Sequence, residues 1–308
     1  MKKKIIIWAF TCLLIANYTH AQCSYPSLVR QNPLYHGYVD VLEFVWDEIV
    51  QGKTGQGQGL PVPGAKRIVY KIDDKDYMNP EEFVTEFYAN GLTKSIGWIN
   101  GSKKLVFNYD KQWRIQNISG NEGEFRKYVY NEHGKLTTSY HESEKYVYHY
   151  DANGNLTEIL RGNSETYIFK NNHLSEIRTN LEYPYEVFPM TFRYDSNGNC
   201  IGSTKIAWDG IDDGALGKNE ISIIYNEKGF PGTLINKGGE YNSSKKIYVG
   251  KPYVYTYRSR YSYDTKGNWT SWSVANNGVE FTVTRTFEYY SDEEVKVAIA
   301  EMELAKSK

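Results

Sequence analysis

Along much of the chain, apolar and polar residues alternate with a period of two. Tyr146, Tyr148 and Tyr150 share one parity while Val147 and His149 take the other, which predicts a β-strand with two unlike faces. A longer run, Tyr253, Tyr255, Tyr257, Tyr261 and Tyr263, keeps the same parity. The alternation stops at Asp151-Ala152-Asn153-Gly154-Asn155 and resumes at Leu156-Thr157-Glu158-Ile159. Trp269-Thr270-Ser271-Trp272 is a second such return. Strand, tight turn and return strand make a β-hairpin, and consecutive hairpins continue as an antiparallel meander.

The unit recurs. Its copies are anchored at Tyr88, Tyr109, Tyr130, Tyr150, Phe169, Tyr194, Tyr225 and Tyr263, at intervals of 21, 21, 20, 19, 25, 31 and 38 residues. The first spacings are nearly constant and the later ones grow by insertion. Asp151 can accept hydrogen bonds from N–H groups two residues on, and Gly154 supplies a positive φ. Other copies respect this logic. Asn131 and Asn226 replace the aspartate with the same acceptor geometry, and Gly134, Gly198, Gly229 and Gly267 hold the glycine. An Asp-x-Asn-x-Asn order (Asp151, Asn153, Asn155) echoes calcium-loop spacing, but its glycine is fourth where an EF-hand needs it sixth. A hairpin corner explains the drift better.

The flanks read differently. Tyr38–Ile49 and Ala65–Asp73 have strand character, joined by a Gly-rich loop that ends in Pro61 and Pro63 and lacks the Gly-Lys-Ser/Thr of a phosphate loop. Asn79-Pro80-Glu81-Glu82 has the form of a helix start. At the C-terminus, Ser291 or Asp292 can cap a helix carrying Val295, Ile299 and Met302, which would cover the last sheet edge; a frayed tail is the alternative.

Composition sharpens the picture: 28 tyrosines, 26 glycines and a mean hydropathy of −0.60 suit strands and turns. Residues 2–4 are lysines, an apolar run follows, and Ala21 closes a segment with the layout of a secretory signal peptide. Cleavage after Ala21 is expected; Cys23 raises lipidation as the alternative. That segment removes three lysines from a total of 36 basic against 37 acidic residues. The remaining excess of acid argues against nucleic acid. No later stretch has the run of apolar residues a membrane helix needs, so an exported protein is expected, periplasmic, outer-surface or extracellular. Cys23 and Cys200 would be left to pair in an oxidising compartment, or Cys200 would be a small buried residue.

The copies "YDANGNLT", "YDSNGNCI" and "YDTKGNWT" resemble the YD repeat of the Rhs and teneurin-like family, and the lysine-led leader ending in Ala-Gln is similar to those of exported Bacteroidota proteins. The family resemblance covers roughly residues 86–290. It implies spiralling β-sheets on cell surfaces or in secreted toxin shells, linked to carbohydrate or partner binding. Eight copies are few for a closed shell, and no toxin module or self-cleavage segment follows. The expected fold is therefore all-β: a long twisted antiparallel sheet of consecutive β-hairpin repeats, curved or partly rolled, with a possible C-terminal helix. Its expected divisions are a signal peptide (1–21), a non-repeat β region (22–85), the repeat domain (86–290) and a terminal helix or tail (291–308).

Catalytic signatures are sparse. His133, His141, His149 and His173 fall at different repeat phases without metal-ligand spacing. No Gly-x-Ser-x-Gly elbow occurs, although two carboxylates meeting in a groove, as in a glycan hydrolase, remain open to sequence reasoning. The insertion Trp208–Gly217 offers Asp209, Asp212 and Asp213 as oxygen ligands for Ca²⁺, against the reading of a solvated loop. Tyrosines of fixed parity form either a covered core or an exposed platform that stacks on a ligand. On the second reading the ligand-binding residues are Trp208, Tyr253, Tyr255, Tyr257, Trp269 and Trp272. The expected function is a non-catalytic binding or scaffold protein of the cell envelope, with a glycan or a surface protein as ligand and no required cofactor. A structural module of a larger surface assembly is the first alternative and a glycan-acting hydrolase the second.

Overall fold

The computed structural model describes residues 64–74, 81–99, 104–120, 123–141, 144–171, 173–179, 189–196, 200–208, 216–228, 230–276 and 279–307. Its strands are β1 (Ala65–Asp74), β2 (Glu81–Phe87), β3 (Thr93–Trp98), β4 (Lys104–Tyr109), β5 (Ile115–Gly120), β6 (Gly123–Tyr130) and β7 (Leu136–His141). They continue as β8 (Glu144–Tyr150), β9 (Leu156–Arg161), β10 (Glu165–Lys170), β11 (His173–Thr179), β12 (Met190–Tyr194) and β13 (Cys200–Trp208). The last are β14 (Leu216–Tyr225), β15 (Pro231–Asn242), the two-residue β16 (Ile247–Tyr248), β17 (Tyr253–Tyr263), β18 (Trp269–Asn276) and β19 (Val279–Tyr289). One helix, α1 (Asp292–Lys306), follows.

Each strand from β1 to β14 pairs antiparallel with its successor. β15 pairs with β17, β17 with β18 and β18 with β19. Strand β19 then returns to β1, from Ala65↔Tyr289 to Asp74↔Phe281. The result is a closed barrel of 18 strands, with β16 set outside the ring on β15. This corrects the expectation of an open twisted sheet. Strand β1, expected from the sequence over Ala65–Asp73, lies outside the repeats and pairs on both edges, with β2 and with β19, which closes the ring among the described strands. The expected helix start at Asn79-Pro80 is also corrected, because Glu81–Phe87 is strand β2 and pairs with β1. The edge of β1 dictates that outcome over the local capping signal.

Tyr263 accepts from Asn226 Nδ2 at 3.2 Å, but at five other turns the preceding tyrosine ties its strand to the one before. Its hydroxyl donates to a backbone carbonyl of the preceding strand: Tyr109 to Thr93, Tyr130 to Ile115, Tyr150 to Leu136, Tyr194 to Leu174 and Tyr225 to Cys200, all at 2.8–2.9 Å. Tyr290 donates to Phe87 O at 2.8 Å across 203 residues, bridging over β1 at the seam. The turns behave as read. Asp151 Oδ1 accepts from Asn155 N at 2.8 Å and Oδ2 from Asn155 Nδ2 at 2.9 Å, while Gly154 sits at φ 84°. Asn131, Asn226, Asp110 and Asp264 make equivalent bonds.

Inside and outside differ sharply. Ile68, Ile96, Phe107, Ile118, Trp272 and Val283 are among the residues of one apolar cluster on the inner wall, which spans β17–β19 and β1–β5. Leu156, Ile159, Tyr167, Leu174, Phe192 and Ile223 are among those of a second, spanning β9–β14. Leu234 of β15 touches both. Lys127, Lys145, His149, Arg178, Arg258 and Arg260 face outward and stand exposed. A barrel embedded in lipid carries its apolar band outside; here the outward side carries these charges together with exposed Val129, Ile224 and Val254. Helix α1 begins at the long-turn end with a complete capping box: Ser291 Oγ accepts from Glu294 N, and Ser291 N donates to the Glu294 carboxylate.

Candidate functional site

The inner wall is covered along most of its length and opens at the end of the barrel away from the long turns. There β17 enters with Tyr253 and Tyr255, 42% and 41% exposed. Their rings lie 5.2 Å apart and tilted by 37°, and Tyr255 leads on to Tyr257 at 6.5 Å. Tyr257 is buried, and Tyr261 and Tyr263 continue the same face against the core. The alternation of the strand therefore builds a ladder of rings that starts in water and ends in the core.

Register explains how the upper rings lie. Tyr253 opposes Gly238, and Tyr255 opposes Asn236. A side chain on Gly238 would collide with the Tyr253 ring, its Cβ falling 2.1 Å from the hydroxyl. The glycine lets the phenol lie across β15 toward Asn219 of β14, whose Nδ2 is 3.5 Å from the Tyr253 hydroxyl. Beneath Tyr255, Asn236 is buried, and its Oδ1 finds no hydrogen-bond partner among the described residues. The mouth thus offers two aromatic faces, an amide donor and a phenolic hydroxyl, with a carbonyl acceptor buried below. Two stacked phenol faces suit apolar C–H edges, and the amides suit hydroxyl or amide groups.

The structure divides the six aromatic residues expected to bind. Trp208 ends β13 opposite Leu216, and its side chain lies outside the described residues. Tyr253 and Tyr255 meet at the mouth. Tyr257, Trp269 and Trp272 are core residues, each about one-twentieth exposed. Simple alternation puts Trp269 and Trp272 on opposite faces; a register shift beside Tyr263 turns both inward. The same bulge sits beside Tyr150, where Leu156 and Ile159 are both buried, and the extra residue Thr157 donates its hydroxyl to His149 O at 3.1 Å. Bulges insert one unpaired residue and reset the parity. A Leu-Thr step marks the bulge after two of these turns, at 136–137 and 156–157, but Trp269-Thr270 and Ile115-Gln116 take its place at others. Asp209, Asp212 and Asp213, expected to hold Ca²⁺, lie outside the described residues. Among the described residues no group of acids, histidines and cysteines is placed to hold a metal. Cys200 is fully buried, and burial pushes its thiol up to about 11.

Sequence reasoning missed two charged clusters at the same end of the barrel. On the inner wall Arg161 forks onto Glu144, at 2.7 and 2.9 Å, and reaches Glu165 at 3.0 Å. The Tyr167 hydroxyl donates to Glu165 and the Tyr146 hydroxyl to Glu144. Hydrogen bonding to Glu144 raises the Arg161 pKa. On the outer wall Glu220 receives the Tyr248 hydroxyl at 2.7 Å and lies 3.1 Å from Lys218 Nζ. Burial opposes its charge, but Tyr248 and Lys218 outweigh that and keep the carboxyl below its ordinary 4.5. Arg161 meets Glu144 and Glu165 from neighbouring strands and Tyr248 meets Glu220 from two strands away, proximities that depend on register.

Neither the family models nor the curated proteins contain a match to this chain. Solved structures resemble it weakly. A porin-like protein from Bacteroides uniformis is 13% identical, with 73% of this chain and 98% of that one covered at a TM-score of 0.38. A porin-like protein from Bacteroides vulgatus is 10% identical, with the same coverage and a TM-score of 0.33. The Tc holotoxin pore of Photorhabdus luminescens is 11% identical, with 70% of this chain but 13% of that chain covered, at a TM-score of 0.33. At such scores the likeness carries no argument about function.

Proposed function

We propose that this chain is an exported, non-catalytic binding protein of the cell envelope. Its ligand, a glycan or the surface of an envelope protein, meets the barrel at the mouth formed by Tyr253 and Tyr255. The observation that carries this reading is a contrast of exposure along one face. Tyr257 on the same strand and Trp269 and Trp272 on the next are buried, whereas these two rings remain open beside an amide donor. The resemblance of the turns to YD repeats supports a surface role of the same kind, and the leader-like residues 1–21 support export.

A hydrolytic reading finds less support. The inner-wall carboxylates of Glu144 and Glu165 are both engaged by Arg161, whereas a glycosidase needs one carboxyl kept protonated as an acid. A structural module of a larger assembly is the remaining rival. A glycan array separates the two. Binding of a saccharide that falls at least about tenfold in Tyr253→Ala and Tyr255→Ala, each ring being worth roughly 1.4 kcal/mol or more, supports the proposal. Absence of binding to every glycan, together with failure to capture any envelope protein through this mouth, favours assembly. Hydrolysis of a polysaccharide would sink both.

A further inference from the structure

A second surface stands apart from the tyrosine mouth. Strand β15 runs past its last pair with β17, Gly238↔Tyr253, and turns back through β16 to form a hairpin tip that projects beyond the ring. The tip is rigidly built. Asn242 Oδ1 accepts from Lys245 N at 2.9 Å and from Ser244 Oγ at 2.8 Å, and Val249 N donates to Glu240 O at 2.9 Å. Tyr248 pins the tip to the outer wall, its hydroxyl on Glu220 and its ring under Lys237 Nζ at 4.6 Å and Lys218 Nζ at 5.4 Å.

Since Tyr248 faces the outer wall, its neighbours Ile247 and Val249 take the opposite side of the tip. They are 54% and 46% exposed. Lys245, Lys246 and Lys251 surround them, all exposed. Between Glu227 and Asp264 the only acid is Glu240, which itself opposes Val249; the basic residues there are Lys228, Lys237, Lys245, Lys246, Lys251, Arg258 and Arg260. So two exposed aliphatic side chains sit beside three lysines and one glutamate on a fixed support.

We propose that this tip is a docking site for an anionic lipid surface: Ile247 and Val249 enter the headgroup region while the three lysines hold the lipid charges. An acidic protein or a nucleic acid would satisfy the lysines yet leave the aliphatic side chains in water. A bilayer interface accepts both at once, and lysines snorkel there at little cost.

Co-sedimentation of the exported protein with vesicles tests the proposal, using equimolar phosphatidylglycerol and phosphatidylcholine against phosphatidylcholine alone. Binding to the anionic vesicles is expected, with release by salt. It should weaken about tenfold or more when Lys245, Lys246 and Lys251 become Gln. A similar loss should follow from Ile247→Ser with Val249→Ser. All five side chains are exposed, and an unchanged thermal midpoint confirms that the variants fold. The proposal is overturned by absence of binding, by equal binding to neutral vesicles, or by binding that either set of substitutions leaves intact. It is also overturned if the protein is retained on a polyglutamate column and ignores both vesicle types. Tyr253 and Tyr255 are untouched, so failure here leaves the ligand mouth standing.

Discussion

At the scale of single residues, the tyrosine that precedes five of the turns does two jobs. Its ring lines the inner wall, and its hydroxyl ties the end of one strand to a carbonyl of the one before, as Tyr150 does to Leu136 O. Burial raises the pKa of Tyr130, Tyr194 and Tyr225, which keeps these hydroxyls protonated and able to donate. Removing one hydroxyl leaves a half-buried carbonyl without its donor. Tyr150→Phe should therefore lower stability by about 1 kcal/mol in urea unfolding. The fifth anchor, Phe169, lacks the hydroxyl and is buried at the equivalent position. Phe169→Tyr, able to reach Leu156 O as Tyr150 reaches Leu136 O, should shift the midpoint the other way. A rise for Tyr150→Phe would show that the bond is not worth its desolvation.

At the scale of the element, the hairpin was legible because its turn chemistry is local. Asp151, Gly154 and Asn155 announce the corner, and the hydrogen bonds found there are those the side chains dictate. What the residues hid was the bulge after each corner. Thr157 is polar and β-branched like any strand residue, and only the shifted register shows that it is the inserted one. That single residue decides whether Trp272 is a platform or core. The turn also carries a pH signature. Hydrogen bonds from the Asn155 side chain and backbone hold Asp151 below its ordinary 3.8. At Asp264 burial opposes charge, but the Tyr289 hydroxyl and Asn268 outweigh it, so its pKa is likewise lowered. Each folded pKa lies beneath the unfolded one. The stabilisation is thus fully present above the unfolded value and drains as pH falls through the folded value. Urea midpoints should be flat from about pH 7 to 5 and fall below about pH 4. Asp151→Asn, which keeps the acceptor as Asn131 does, should make that fall shallower. An unchanged acid limb would detach the turns from acid sensitivity.

At the scale of the whole molecule, closure converts the alternation of the strands into an inside and an outside. The parity of Tyr146, Tyr148 and Tyr150 was readable in the sequence, but which face would be covered was not. That depended on β1, whose residues carry no trace of the repeat and whose partners lie at opposite ends of the chain. Lys71, opposite Glu82 on one side and Thr284 on the other, is placed by long-range pairing that no local pattern encodes. The same closure leaves Tyr253 and Tyr255 open at one mouth and buries Trp269 and Trp272 in the wall. The β1–β19 seam therefore carries both the fold and the proposed function. Val69 and Thr286 are direct partners across it, within the roughly 4.4–6.8 Å that a disulfide spans. The most direct measurement is the yield of intramolecular disulfide in Val69→Cys with Thr286→Cys, against the unsubstituted chain. A closed barrel predicts near-complete, reductant-sensitive crosslinking of the monomer under mild oxidation. Free thiols at both positions, or disulfides that form only between molecules, would mean that the seam is open.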